Sequence, residues 1–131
     1  MHTMTLRLSP GDDLRAALDH AFRARGLSAA FVLQGIGSLS VARLRYAGRD
    51  EAAELRGDLE ILTLAGTLSA QGSHLHMSVS DADGHVFGGH VTSGCIVRTT
   101  AELVIASLPG ERYTREHDAA TGFAELVIRA T

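Results

Sequence analysis

The chain has 131 residues, a formal net charge of −3 and a pI near 6.1, a length that suits one domain, residues 1–131, closed around one hydrophobic core. With 45% hydrophobic and 21% charged residues the composition is that of an ordinary globular protein, and no stretch approaches the roughly 20 apolar residues a membrane helix needs. All 12 basic residues are arginines, spread from Arg7 to Arg129 without a run, so the sequence offers none of the clustered charge on which phosphate-backbone binding rests.

The first residues, "MHTMTLRLSPGDD", lack a basic region followed by an apolar run and a small-residue cleavage site, and a cytoplasmic location is expected. Residues 5 to 9, "TLRLS", alternate and predict a short strand. A helix is expected over about 11 to 25, with Ser9 as its cap, Pro10 at its first position and Asp12 near the positive end of the helix dipole. Leu14, Leu18 and Phe22 recur on one face beside Ala17 and Ala21, and Gly26 supplies a left-handed stop.

Residues 29 to 46, "AAFVLQGIGSLSVARLRY", read as two strands broken at Gly35 and Gly37. Residues 47 to 56 are polar and predict a loop or a short helical turn. Strand character returns from Leu59 in "LEILTLAGTLS". "SHLHMSVS" then alternates strictly, placing Leu75, Met77 and Val79 on one face and His74, His76, Ser78 and Ser80 on the other. "DADG" at 81 to 84 is turn chemistry, and "HVFGGH" forms the second arm of a hairpin. "CIVRTT", "AELVIASL" and "FAELVIRA" supply three further strands, although Glu102 to Leu108 also reads as helix on propensity. One helix against many strands predicts an α+β fold on a mostly antiparallel sheet. Cys95, the single cysteine, reads as a small buried hydrophobe.

Three histidines carry the chemistry. His74 and His76 share a strand face, and His90 joins them only if the hairpin turn pairs Ser80 with Val86 and therefore His76 with His90. Three imidazoles converging on one point suit a zinc ion or a related metal, and three ligands leave a fourth position open. A hydrolase or lyase would also need an acid or base beside that position. Glu60 in "DLEIL" is the candidate, with a surface strand residue as the plainer reading. His2, His20, His85 and His117 have no partners in spacing and read as surface residues. "GIGS" at 35 to 38 leads into neither a helix nor a lysine, which argues against a phosphate loop.

The segments "GIGSLSVARLRY", "GDLEILTLAGTLS", "HLHMSVSDADGHVFGGHV", "GCIVRTTAELVI" and "TGFAEL", in this order, resemble the PPC domain family (plants and prokaryotes conserved) across nearly the whole chain. The resemblance implies a compact α+β domain that assembles as a homotrimer. In bacterial and archaeal members it implies a metal, zinc by expectation, held at His74, His76 and His90. Plant members resemble DNA-binding regulators in which the domain follows an AT-hook. Here the prolines are Pro10 and Pro109, so no Arg-Gly-Arg-Pro core exists, and DNA binding rests on family analogy. Three functions follow as expectations: a homotrimeric zinc-binding module with a regulatory role and a small-molecule or protein ligand; a zinc-dependent hydrolase or lyase; and a DNA-binding protein.

Overall fold

The helical register of Leu14, Leu18 and Phe22 buries all three almost completely, at 0%, 0% and 3% exposure, because a four-residue spacing keeps them on one face of an α-helix. The computed structural model describes residues 1–131. In chain order the elements are β1 (His2–Leu8), α1 (Leu14–Ala24), β2 (Ala30–Arg45), β3 (Ala53–Ser69), β4 (Gly72–Ser80), β5 (Val86–Val91), β6 (Ile96–Ser107), β7 (Glu111–Asp118) and β8 (Phe123–Ala130). The fold is mostly antiparallel sheet with one helix, as expected.

The helix begins later than the sequence suggested, and Asp13 rather than Ser9 is its cap. Asp13 Oδ1 accepts from the Ala16 N–H at 3.0 Å, while its Oδ2 accepts from the Gly94 N–H at 2.7 Å. Ser9 and Asp12 instead close a turn ahead of the helix, with the Ser9 N–H donating to Asp12 Oδ2 at 2.8 Å. That turn is tied to the sheet by the Gly11 N–H, which donates to the Val97 carbonyl at 2.9 Å. The chain therefore cannot start the helix before residue 13. Gly26 ends it with φ of +62°, in the left-handed region that glycine enters without cost.

Six strands form one sheet in the order β1-β6-β2-β3-β4-β5, and β7 and β8 form a separate two-stranded sheet. Residues 29 to 46 do not make two strands. They make one 16-residue strand, β2, whose pairing with β6 shifts between Val32 and Gln34, Gly37 and Leu39, and Leu39 and Val41. Gly37 bends the strand without ending it: a Cβ there would lie 2.6 Å from the Ala101 Cα. "CIVRTT" and "AELVIASL" likewise fuse into the single strand β6, and the helical reading of 102 to 108 loses to pairing with both β1 and β2. Residues 53 to 56, expected to be irregular, already pair with the end of β2 as the start of β3.

The far end of β2 also pairs with β5, through Leu44 with Val91 and Arg45 with His90. Strands β2, β3, β4 and β5 thereby close a ring, and the sheet folds back on itself. Leu44, Leu64, Leu75, Met77, Val79 and Val91 belong to the core that α1 also covers. Cys95 is fully buried in that core, as its apolar neighbours predicted, and burial pushes its thiol pKa up.

Candidate metal centre

The alternation of β4 is read out without exception: Ser73, Leu75, Met77 and Val79 point inward, while His74 and His76 are exposed. The turn to β5 is organised by Asp81, whose Oδ1 accepts from the Asp83 and His85 N–H groups at 2.9 Å each. Gly84 takes φ of +81° to complete it. Ser80 therefore pairs with Val86, and two steps of two residues later His76 pairs with His90. Directly opposed residues of an antiparallel pair face the same side, so the hairpin delivers His90 to the face that carries His74 and His76.

His90 is fixed from both sides, since β5 lies between β4 and the end of β2 at this point. The row Ala65, His76, His90, Arg45 crosses four paired strands. The small Ala65 leaves the rings room, and Gly89 lets β5 approach β2 so closely that a Cβ there would stand 2.8 Å from the Arg45 carbonyl oxygen.

The ring centroids of His74, His76 and His90 are 5.1, 5.5 and 4.6 Å apart, and one nitrogen from each lies within 4.8 Å of the others. Ligand nitrogens around a tetrahedral zinc, with bonds of about 2.0 to 2.1 Å, stand roughly 3.3 Å apart. Small side-chain rotations close that difference, so the donor set fits a metal ion and leaves one coordination position open. Burial, followed by the positive charge of Arg115, lowers the pKa of His74; burial, followed by Arg45, lowers that of His90. Both shifts favour the neutral imidazole that a metal requires.

The sequence reading missed the arginines. Arg45 arrives through β2, and Arg115 through β7, which it anchors by donating from its guanidinium to Thr67 Oγ1 at 2.7 Å and from its backbone N–H to Gln71 Oε1 at 3.1 Å. Glu125 of β8 acts in the opposite sense on His74 and raises its pKa slightly. The β7–β8 hairpin thus forms one side of the site. No local motif signals this, because the contact depends on where the hairpin packs.

Glu60 does not approach the histidines. It pairs with Ser80, four residues along β4 from His76, or about 13 Å at the usual strand rise. There it is exposed beside Ser38, Thr99 and Glu102. His2, His20 and His117 are exposed as expected, whereas the exposed His85 has a partner that spacing did not reveal, Asp81 Oδ2 at 3.4 Å from its Nδ1.

The sequence model of the Plants and Prokaryotes Conserved (PCC) domain matches residues 1–109. A bifunctional protein GlmU from Synechococcus is 48% identical over 124 residues, which cover 95% of this chain and 20% of that protein. The chain therefore spans about a fifth of the length of that relative. Among solved structures, a hypothetical protein from Salmonella enterica superposes with a TM-score of 0.96 at 41% identity, covering 98% of this chain and 94% of the other. The metal-containing protein AF0104 from Archaeoglobus fulgidus superposes with a TM-score of 0.81 at 29% identity, covering 97% and 94%. Neighbours described as candidate DNA-binding proteins, at 22% and 24% identity, share the fold.

Proposed function

The chain belongs to the Plants and Prokaryotes Conserved domain family, and on that premise we propose that residues 1–131 act as one such domain, a homotrimeric metal-binding module in which each chain holds a zinc ion on His74, His76 and His90. The observation that carries this reading is the His76–His90 pairing, which brings three imidazoles from two strands to one point. The description of the Archaeoglobus relative as metal-containing supports the presence of a metal. Bound there, zinc would supply a Lewis-acidic position for an external ligand.

The trimer is supported by a separate face. Leu33 and Ile36 of β2 and Leu62 of β3 are 53%, 49% and 45% exposed, and Ile36 and Leu62 line one surface depression together. Apolar side chains clustered on a sheet face are the usual mark of a subunit interface. A hydrolase or lyase reading has less support, since Glu60 is remote from the histidines. DNA binding has less still: the formal net charge is −3, and Arg15, Arg43, Arg56, Arg98 and Arg129, five of the 12 basic residues, are each within ion-pair distance of a carboxylate, which weakens the basic surface that phosphate binding needs.

The experiment is metal analysis of protein purified without a histidine tag, with oligomer mass read alongside. The proposal expects one metal per chain, a mass about three times the 13.9 kDa of one chain, and loss of the metal in His76→Ala. Metal-free wild type from zinc-replete cells would refute the metal, and a monomer would refute the assembly.

A further inference from the structure

Beside the triad, where β4 and β5 part and α1 crosses their ends, lies a cleft of about 180 Å³ lined by Arg15, Arg45, Ser73, His74, His90 and Thr92 among others. Taking a liquid water as about 30 Å³, the cleft holds roughly six waters or one small ion with several oxygens. Its lining contains two arginines and two histidines and no acidic residue.

Neither arginine is neutralised strongly. The Arg45 guanidinium donates to the Arg49 carbonyl at 3.3 Å and has no carboxylate within ion-pair distance. Arg15 reaches the Val91 carbonyl at 3.5 Å and Asp19 at 3.9 Å, both long contacts. Arg115, on the other flank of His74, also lacks a carboxylate partner and spends its guanidinium contact on Thr67. Guanidinium groups around a cation site oppose the bare dication and favour an anion that bridges the two.

We infer that the cleft is the seat of a small oxyanion of the carboxylate or phosphate type, held by the Arg45 and Arg15 guanidinium groups, with one oxygen directed to the open position of the histidine centre. This rests on the metal reading above and specifies the class of ligand the centre takes. Arg45 is placed to be the main anchor, because its β2 position pairs it directly with His90.

The test uses full-length untagged protein loaded with cobalt(II), whose visible spectrum reports the ligand in the open position. Inorganic phosphate and acetate are titrated separately at constant ionic strength, in wild type, Arg45→Gln, Arg15→Gln and the distant surface control Arg98→Gln. The inference expects a saturable spectral change with at least one anion, and the anion that binds more tightly identifies the class. It expects Arg45→Gln to weaken binding roughly 10- to 100-fold and Arg15→Gln to weaken it less, with cobalt content unchanged and Arg98→Gln like wild type. Retained cobalt with no response to either anion would overturn this inference alone. A response that all variants share would overturn the arginine seat. Failure of the wild type to hold cobalt would overturn the metal reading and this inference with it.

Discussion

His76 stands directly opposite His90 across the β4–β5 pair, with ring centroids 4.6 Å apart and planes at 86°. The contact depends on a strand edge that has no room for an extra carbon, since a Cβ on Gly89 would press 2.8 Å from the Arg45 carbonyl. Gly89→Ala is therefore expected to displace β5 and His90 with it. Strain from such overpacking costs about 1 to 3 kcal/mol, and metal affinity should fall roughly 10- to 100-fold. Gly88→Ala, whose nearest contact would be 3.3 Å from the Met77 carbonyl, should be milder. Metal titration of the two variants side by side checks the order, and equal affinities would contradict it.

The pKa values of His74 and His90 are lowered from the ordinary 6.5, by burial first and by arginine charge second. In the metal-free protein both imidazoles should titrate below 6.5 in an NMR pH series. Because the unfolded chain takes up these protons first, the stabilising contribution is complete above about pH 6.5 and is lost as pH falls through the lowered folded values. Replacing Arg115 by Gln should raise the His74 value. A His74 that titrates at 6.5 or above in the wild type would count against the arrangement of charges described.

Asp13 joins the helix start to the sheet, accepting from Ala16 with one oxygen and from Gly94 with the other. Asp13→Ala removes a helix cap, worth about 1 kcal/mol, and unpairs the part-buried Gly94 amide, worth about 1 to 3 kcal/mol more. Ser9→Ala, on the residue first expected to cap, should cost little because only its backbone N–H and carbonyl are used. Thermal melts of the two variants distinguish the assignments.

How much of this was legible in the sequence differs by kind of signal. Periodicity placed α1 and the inward face of β4, because each depends on local spacing, and the apolar neighbours of Cys95 marked it as buried. The turn residues located the hairpin, but its register was only a condition in the sequence, and the Ser80–Val86 pairing that carries His90 to the face of His76 is seen in the structure. Glycine misled at Gly35 and Gly37, where one long strand runs on and glycine instead makes room, at Gly35 for the Leu103 and Leu64 side chains and at Gly37 for the backbone of Ala101. The strand β7, "ERYTREHD", has little apolar alternation and forms by pairing with β8, so nothing local announced it. For the same reason Arg115 was not anticipated beside His74, and Glu60 was placed too near, since strand order fixes both.

If Leu33, Ile36 and Leu62 form the subunit interface, Ile36→Glu and Leu62→Glu should convert the trimer to monomers by placing a charge in a buried apolar contact. The three histidines of the candidate centre all come from one chain, so the monomeric variants should still bind metal. A charged variant that remains trimeric would move the interface elsewhere on the surface.

Ser73→Ala removes the buried hydroxyl that has no partner. In the ligand-free protein this substitution should be neutral or stabilising by up to about 1 kcal/mol, unlike most buried changes. A clear loss of stability would mean that the hydroxyl is satisfied within the folded chain.

The most direct measurement is anomalous X-ray diffraction at the zinc edge from crystals of untagged protein grown without chelators. The expected result is one anomalous peak per chain, bounded by nitrogens of His74, His76 and His90 at about 2.0 to 2.1 Å. A difference map with no peak between these rings, from protein expressed and crystallised with zinc present, would contradict the metal centre and return the histidines to a polar strand face.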